Sequence, residues 1–294
     1  MIAVHDLTQV YRSGKGVFDL DFSIPEGEVF GYLGPNGAGK TTTIRNLLGF
    51  TNARKGYATI GGLNCRHQAD RIQRMIGYLP GEIAFFGNMT GIGFINFMEN
   101  MRRTVDRNRR NALLDRFAFN PGSKIRKMSK GMKQKLGLIT AFMHDPPVYI
   151  LDEPTSGLDP FMQNVFMELL EEEKGRGKTV MLSSHIFEEV QRICDRAGII
   201  REGRIVAIED IASLNSMKQR RYVVTFGSQR DMERIISGSL PAERTGDRQL
   251  TVTVTGGYRE FLSTLSACDV VGLHSEVQTL ESVFMKYYGR EGDA

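Results

Sequence analysis

Cysteine is nearly absent from this chain of 294 residues: Cys65, Cys194 and Cys268 lie far apart and form no C-x-x-C pair. That excludes a disulfide framework and a paired-cysteine zinc site, and it fits a reducing cytosol. Also missing is any apolar stretch of the ~20 residues that would span a bilayer. Met1–Leu7 lacks a basic region followed by a long apolar one, which predicts no signal peptide. Any membrane role would then be borrowed from a partner chain. A large excess of one charge is absent too. The net charge of +4 does not by itself argue for nucleic acid. The basic run Arg102-Arg103 with Arg107, Arg109 and Arg110 reads first as a solvated helix face, with lipid headgroups or an acidic partner as the sharper alternative. What remains is an ordinary globular balance, 41% hydrophobic and 24% charged.

The pattern along the chain predicts alternating strands and helices. Ile2–Val4 and Val17–Ile24 read as strands, with a turn at Pro25-Glu-Gly27. Tyr57–Ile60 and Ile76–Leu79 follow, the latter stopped by Pro80-Gly81. From Thr90 to His144 the period turns helical, with Phe94, Phe97, Met98 and Met101 on one stripe. Strands are expected again at Val148–Leu151, Thr179–Ser183 and Gly198–Ile200, with helices over Phe161–Lys174 and Ile186–Cys194. The alternation implies an α/β fold with a parallel sheet and an inserted helical lobe near residues 88–145. Composition shifts near Leu214–Lys218, and strands at Tyr222–Phe226, Leu250–Thr255 and Val270–Leu273 suggest a small α+β accessory domain over 217–294. The nucleotide domain would then span residues 1–216.

The run from Gly34 to Thr42 fits the phosphate-loop pattern G-x-x-x-x-G-K-[ST] between a strand and a helix. Its glycines let backbone N–H groups turn inward on phosphate oxygens, and the helix start adds its positive end. Asn36, Gly37, Ala38, Gly39, Lys40, Thr41 and Thr42 are the expected nucleotide contacts. Lys40 would reach the β- and γ-phosphates, and the Thr41 hydroxyl would hold Mg²⁺. Val148–Leu151 is an apolar strand ending in Asp152-Glu153-Pro154. Asp152 is placed to hold Mg²⁺ through its water shell, and Glu153 to orient an attacking water. Ser129-Lys-Gly131 opens a helix and offers an anion site, or simply a helix cap at Ser129. It is too far along the chain to be needed at the phosphate that Lys40 holds, so its natural use is to close a second molecule's nucleotide site. His185 ends the strand after the one ending in the carboxylates, which favours a γ-phosphate contact.

This set resembles the ATP-binding subunit of ABC transporters over residues 1 to about 215. The resemblance identifies Gly34–Thr42 as Walker A and Val148–Glu153 as Walker B with its catalytic Glu. It identifies Ser129–Gln134 as the signature, Ser156–Asp159 with Asp159 as the D-loop, and His185 as the switch histidine. Tyr11 stands where the family stacks an aromatic on adenine, and a packing role near a strand is its plain alternative. The implied fold is a P-loop core with an antiparallel β subdomain and a helical lobe. The implied cofactors are ATP and Mg²⁺. The wording Ser-Lys-Gly-Met-Lys-Gln resembles ATPases of ABC-2 type exporters of drugs, lipids or other small compounds, as does the tail Leu280–Tyr288. That tail reads as an amphipathic helix, with core packing, dimer support or regulation as its possible duties. The implied partners are an ABC-2 type permease and a second ATPase, a copy or a paralogue, packed head to tail around two ATP molecules. Neither nucleic acid nor direct membrane insertion is expected, and the location implied is the cytoplasmic membrane face, held through the permease. The other classes are a soluble ATPase acting on ribosomes or DNA and an importer ATPase. Two departures stand out. Lys130 replaces the first signature glycine, and it either is solvated or strengthens the anion site. Gly81-Glu82 stands where the family has Gln; either Glu82 is solvated beside a turn or it takes the metal-side role. The cargo is not written in this chain.

Overall fold

Alternation of apolar and polar residues carries the first two strands, β1 (Ile2–Val10) and β2 (Gly16–Ile24). Their inward members, among them Val4, Leu7, Val17, Leu20 and Ile24, are buried. β3 (Val29–Leu33) is buried at every position, as a strand covered on both faces must be. It leads into α1 (Lys40–Leu47), β4 (Lys55–Ile60), the two-residue β5 (Leu63–Asn64), α2 (Ala69–Met75) and β6 (Ile76–Leu79). The computed structural model describes residues 1–102, 106–216, 220–254 and 257–276. It divides into the units Met1–Ile211 and Ala212–Ala294.

The helical stretch resolves into α3 (Gly91–Arg102), α4 (Arg107–Arg116) and α5 (Lys130–Phe142). The chain then returns to strands through β7 (Val148–Asp152), α6 (Pro160–Gly175), β8 (Thr179–Ser184), α7 (Phe187–Ile193), β9 (Arg196–Arg201) and β10 (Arg204–Asp210). One sheet is antiparallel, in the order β2-β1-β4-β5. The other runs β10-β9-β3-β8-β7-β6 and is parallel from β9 to β6. Its edge strand β10 pairs antiparallel with β9 across the tight turn at Glu202-Gly203. Sequence periodicity missed β10 because charged Arg204, Glu209 and Asp210 blur its alternation. It missed α2 because seven residues with one buried side chain, Ile72, give no clear period.

A charged network bolts the lobe to the sheet. Arg109 of α4 donates from Nε to the Phe142 carbonyl at 2.8 Å and from Nη2 to Glu173 Oε1 of α6 at 2.8 Å. The Tyr149 hydroxyl on β7 donates to Glu173 Oε2 at 3.0 Å. Burial of Tyr149 and the Glu173 charge push its phenol well above the ordinary range. Burial also pushes the His144 imidazole down to about 4, helped by the neighbouring Arg102 charge. His144 therefore sits neutral between α5 and β7.

In the second unit, β11 (Arg220–Phe226), α9 (Gln229–Ile236), β12 (Ala242–Gly246), β13 (Gln249–Val254), α10 (Tyr258–Leu265) and β14 (Val270–Glu276) follow α8 (Ile211–Ser216). The sheet order is β12-β13-β11-β14, all antiparallel. Val224, Phe226, Leu250 and Val252 pack against Met232, Ile235, Phe261 and Leu265 of the two helices. β12, the segment Ala-Glu-Arg-Thr-Gly, was invisible in the sequence because an edge strand carries little apolar signal. The tail Leu280–Tyr288, Thr255 and Arg103 lie outside the described residues.

Candidate functional site

The parallel order places the C-terminal ends of β3, β6, β7 and β8 along one edge of the sheet, where ligands of open α/β sheets bind. Every loop singled out for chemistry except the signature leaves from that edge. They surround a cleft of about 650 Å³.

The phosphate loop leaves β3 and ends at Gly39, whose φ of 114° only glycine adopts without strain. A side chain there would also strike Val17 and Ile200. α1 starts at the next residue, so its N-terminal N–H groups face the cleft. The Tyr32 hydroxyl on β3 lies 3.1 Å from Thr43 Oγ1 on α1 and fixes helix against strand. Full burial raises the Tyr32 phenol above its usual range. Lys40 is 6% exposed. Its Nζ donates to the Gly34 carbonyl at 2.6 Å and the Pro35 carbonyl at 3.3 Å, and it lies 3.4 Å from Glu153 Oε1.

Asp152 closes the second side at 2% exposure. It accepts from Thr41 Oγ1 at 2.9 Å through Oδ2 and from the Ser183 hydroxyl through Oδ1. The parallel register sets Asp152 opposite Ser183. Sequence reasoning gave Ser183 no role, because strand register is not written in a local motif. Gly81 presses against Asp152: a Cβ there would lie 3.2 Å from Oδ2. Glu82 also lines the cleft.

Glu153 has a left-handed backbone, with φ of 49°. That conformation costs about 1–2 kcal/mol for a residue with a side chain. It is held by its own N–H, which donates to the Ser183 carbonyl at 3.1 Å. Gln134 of α5, a second residue whose role the sequence did not disclose, is 3% exposed and donates to the Glu153 and Pro154 carbonyls at 3.3 and 2.8 Å. The carboxylate is thereby aimed between two cations or donors: Lys40 on Oε1 and His185 Nδ1, 3.1 Å from Oε2. The loop beyond is braced by Glu189, which accepts from Thr155 and Ser184 hydroxyls at 2.5 and 2.8 Å.

Tyr11, Asn36, Gly37, Gly39, Lys40, Thr41, Thr42, Glu82, Asp152 and Glu153 therefore come together around one cleft. Lys15 and Arg45 join its rim without having been expected there. Ala38 is buried, with its N–H turned to the Pro35 carbonyl. Ser129, Lys130 and Gly131 do not line this cleft. Ser129 caps α5 by accepting from the Met132 N–H at 3.2 Å. Asp159 caps α6 in the same way, accepting from Met162 at 2.9 Å.

The donor set suits a triphosphate with a hard cation. Thr41, Ser183 and Asp152 present only oxygen, as Mg²⁺ prefers. Among the described residues no group of three or more His, Cys, Asp or Glu side chains can cage a metal alone. Such a cation would need oxygens from the nucleotide, which is how Mg²⁺ is normally held at phosphate sites. Among the described residues no helix is long and apolar enough to cross a membrane.

Comparison with known proteins agrees with this geometry. The ABC transporter family pattern matches residues 17–156. The chain is 35% identical to the bacitracin transport ATP-binding protein of Bacillus licheniformis, over 77% of this chain and 74% of that protein. A solved ATP-binding subunit of an ABC transporter superposes with a TM-score of 0.68 at 30% identity, covering 74% of this chain and 92% of that one. A dimeric ATP-binding cassette in a post-hydrolysis state with ADP and phosphate shares the fold, with a TM-score of 0.66 at 21% identity over 72% of this chain and 99% of its own.

Proposed function

This chain belongs to the family of ABC transporter ATP-binding subunits, and we propose that it hydrolyses MgATP to drive a separate ABC-2 type permease exporting a drug, lipid or other small compound. The observation that carries the ATPase reading is Glu153, buried against Lys40 on one oxygen and His185 on the other at the mouth of the phosphate loop. The bacitracin transport relative supports the exporter class.

Lys40 exchanges the Gly34 and Pro35 carbonyls for β- and γ-phosphate oxygens, a short swing for an amine already at the loop. Thr41 and Asp152 would hold Mg²⁺, with Glu82 lining the metal side. Bound there, the cation would neutralise charge on the β- and γ-phosphate oxygens. Glu153 orients the attacking water and takes its proton, and His185 holds the carboxylate's second oxygen in place. Tyr11 at the cleft rim stacks on adenine. Asn36 to Thr42 cradle the phosphates, with Ala38 contributing from beneath the loop. Ser129 and Gly131 of a second copy or paralogue close the site, which Asp159 supports through its cap on α6. A cassette of the same fold that dimerises with ADP and phosphate supports that arrangement. Most of the rate gain then comes from positioning and charge stabilisation.

The lobe offers a surface for the permease. Phe86 and Met101 are 60% and 66% exposed, and Phe86 and Phe97 meet edge to face with ring centres 5.8 Å apart. Rigid aromatics beside a flexible Met make an adaptable seat for an apolar helix. Affinity capture of the tagged chain from its native membranes tests the whole reading. An ABC-2 type membrane protein is expected with it; ribosomes or an importer complex in its place would overturn the assignment.

A further inference from the structure

Lys130 is the first residue of α5, at the positive end of the helix dipole. A cation is disfavoured there, and α5 adds Lys133 and Lys135 within the next five residues. The first turn contains no acidic residue to offset them. The Lys130 ammonium donates to a neutral acceptor, Ser156 Oγ, at 2.9 Å. Local rules broken without compensation inside the chain mark a functional position, and the missing compensation here is an anion. Ser156 belongs to the loop that carries Glu153, and Gln134, one turn further along α5, grips the Glu153 and Pro154 carbonyls. The signature end and the catalytic carboxylate of one chain are thus tied by two side chains of α5.

We propose that Lys130 is a supplementary phosphate-binding cation of the shared site, parked on Ser156 Oγ in the single chain and passed to the partner's triphosphate on pairing. The inference rests on the two-chain reading above. Lysine suits this duty: its ammonium is a compact charge on a flexible stem, able to leave a hydroxyl for a phosphate oxygen without moving the helix. Its transfer also frees Ser156, so the loop bearing Glu153 senses that the partner's nucleotide is in place.

The test uses full-length chain carrying Glu153→Gln, with MgATP as titrant and dimer mass by light scattering as the readout. Lys130→Met keeps the stem and removes the charge; the ATP midpoint for dimer formation is expected to rise about tenfold, a difference of about 1.4 kcal/mol. Lys130→Arg should restore most of it. The salt dependence of the midpoint should weaken in Lys130→Met, as for the loss of one phosphate contact. Ser156→Ala should shift the midpoint the other way, to lower ATP, because the parking place is gone. Lys130→Met within twofold of its parent, or a Ser156→Ala midpoint that does not fall, overturns the proposal while leaving the two-chain reading intact. A parent that forms no dimer at any ATP concentration overturns that reading and the proposal together.

Discussion

The phosphate-loop end and the signature end of this chain are built on opposite principles. At the first, every charge is answered from within. Lys40 rests on two carbonyls and Glu153, Asp152 accepts from Thr41 and Ser183, and Glu153 is shared with His185. At the second, a helix begins with lysine, carries no acid in its first turn, and its ammonium finds only a serine hydroxyl. A closed set of charges makes a preorganised half-site, because donors already in place cost no reorganisation when chemistry starts. An open set makes a half-site whose complement must be brought to it. The difference is what separates a self-sufficient nucleotide pocket from half of a clamp.

The comparison can be broken most severely at Glu153. Replacing it by Gln removes the base and leaves an amide of equal size against His185 and Lys40. Turnover should fall at least about a hundredfold, with nucleotide affinity kept within a few-fold and an ATP-bound dimer accumulating. Stopped-assay phosphate release and equilibrium nucleotide binding separate the two; near-normal turnover would remove Glu153 from its role. A smaller effect is expected at Glu82, whose carboxylate lines the cleft beside Asp152. Glu82→Ala should raise the Mg²⁺ concentration for half-maximal hydrolysis roughly threefold to tenfold, in keeping with loss of one outer-shell partner. An unchanged Mg²⁺ curve would show that Glu82 is a solvated bystander next to the turn that Gly81 permits.

The closed end was also the more legible one in the sequence. A phosphate loop demands fixed glycines, a lysine and a hydroxyl within nine residues, so its geometry and its spelling coincide. Asp152 and Glu153 were readable because an apolar strand ends on them. The contacts that hold them were not, since Ser183 meets Asp152 only through the register of β7 with β8, and Gln134 reaches Glu153 from a helix 19 residues away. Tyr11 could be named and its place on the cleft rim could not. The short polar elements α2, β5, β10 and β12 escaped for a common reason: tertiary pairing, and not local pattern, makes them regular. At the open end the signature spelled a helix start at Ser129, and the structure added what spelling could not, the reach of Lys130 to Ser156.

The central claim is that Lys40 of one chain and Ser129 of another serve the same nucleotide. ATP hydrolysis by an equimolar mixture of Lys40→Met and Ser129→Glu chains tests it most directly. Each variant alone should be nearly inactive, since in a two-fold pair both sites carry its lesion. With random pairing about half of the dimers are mixed, and each mixed dimer unites both lesions in one site and leaves the other whole, so about a quarter of the wild-type sites should return. Recovered activity on mixing is the predicted result. A Ser129→Glu chain that is fully active alone, or a mixture as silent as its components while mixed dimers are present, would contradict it.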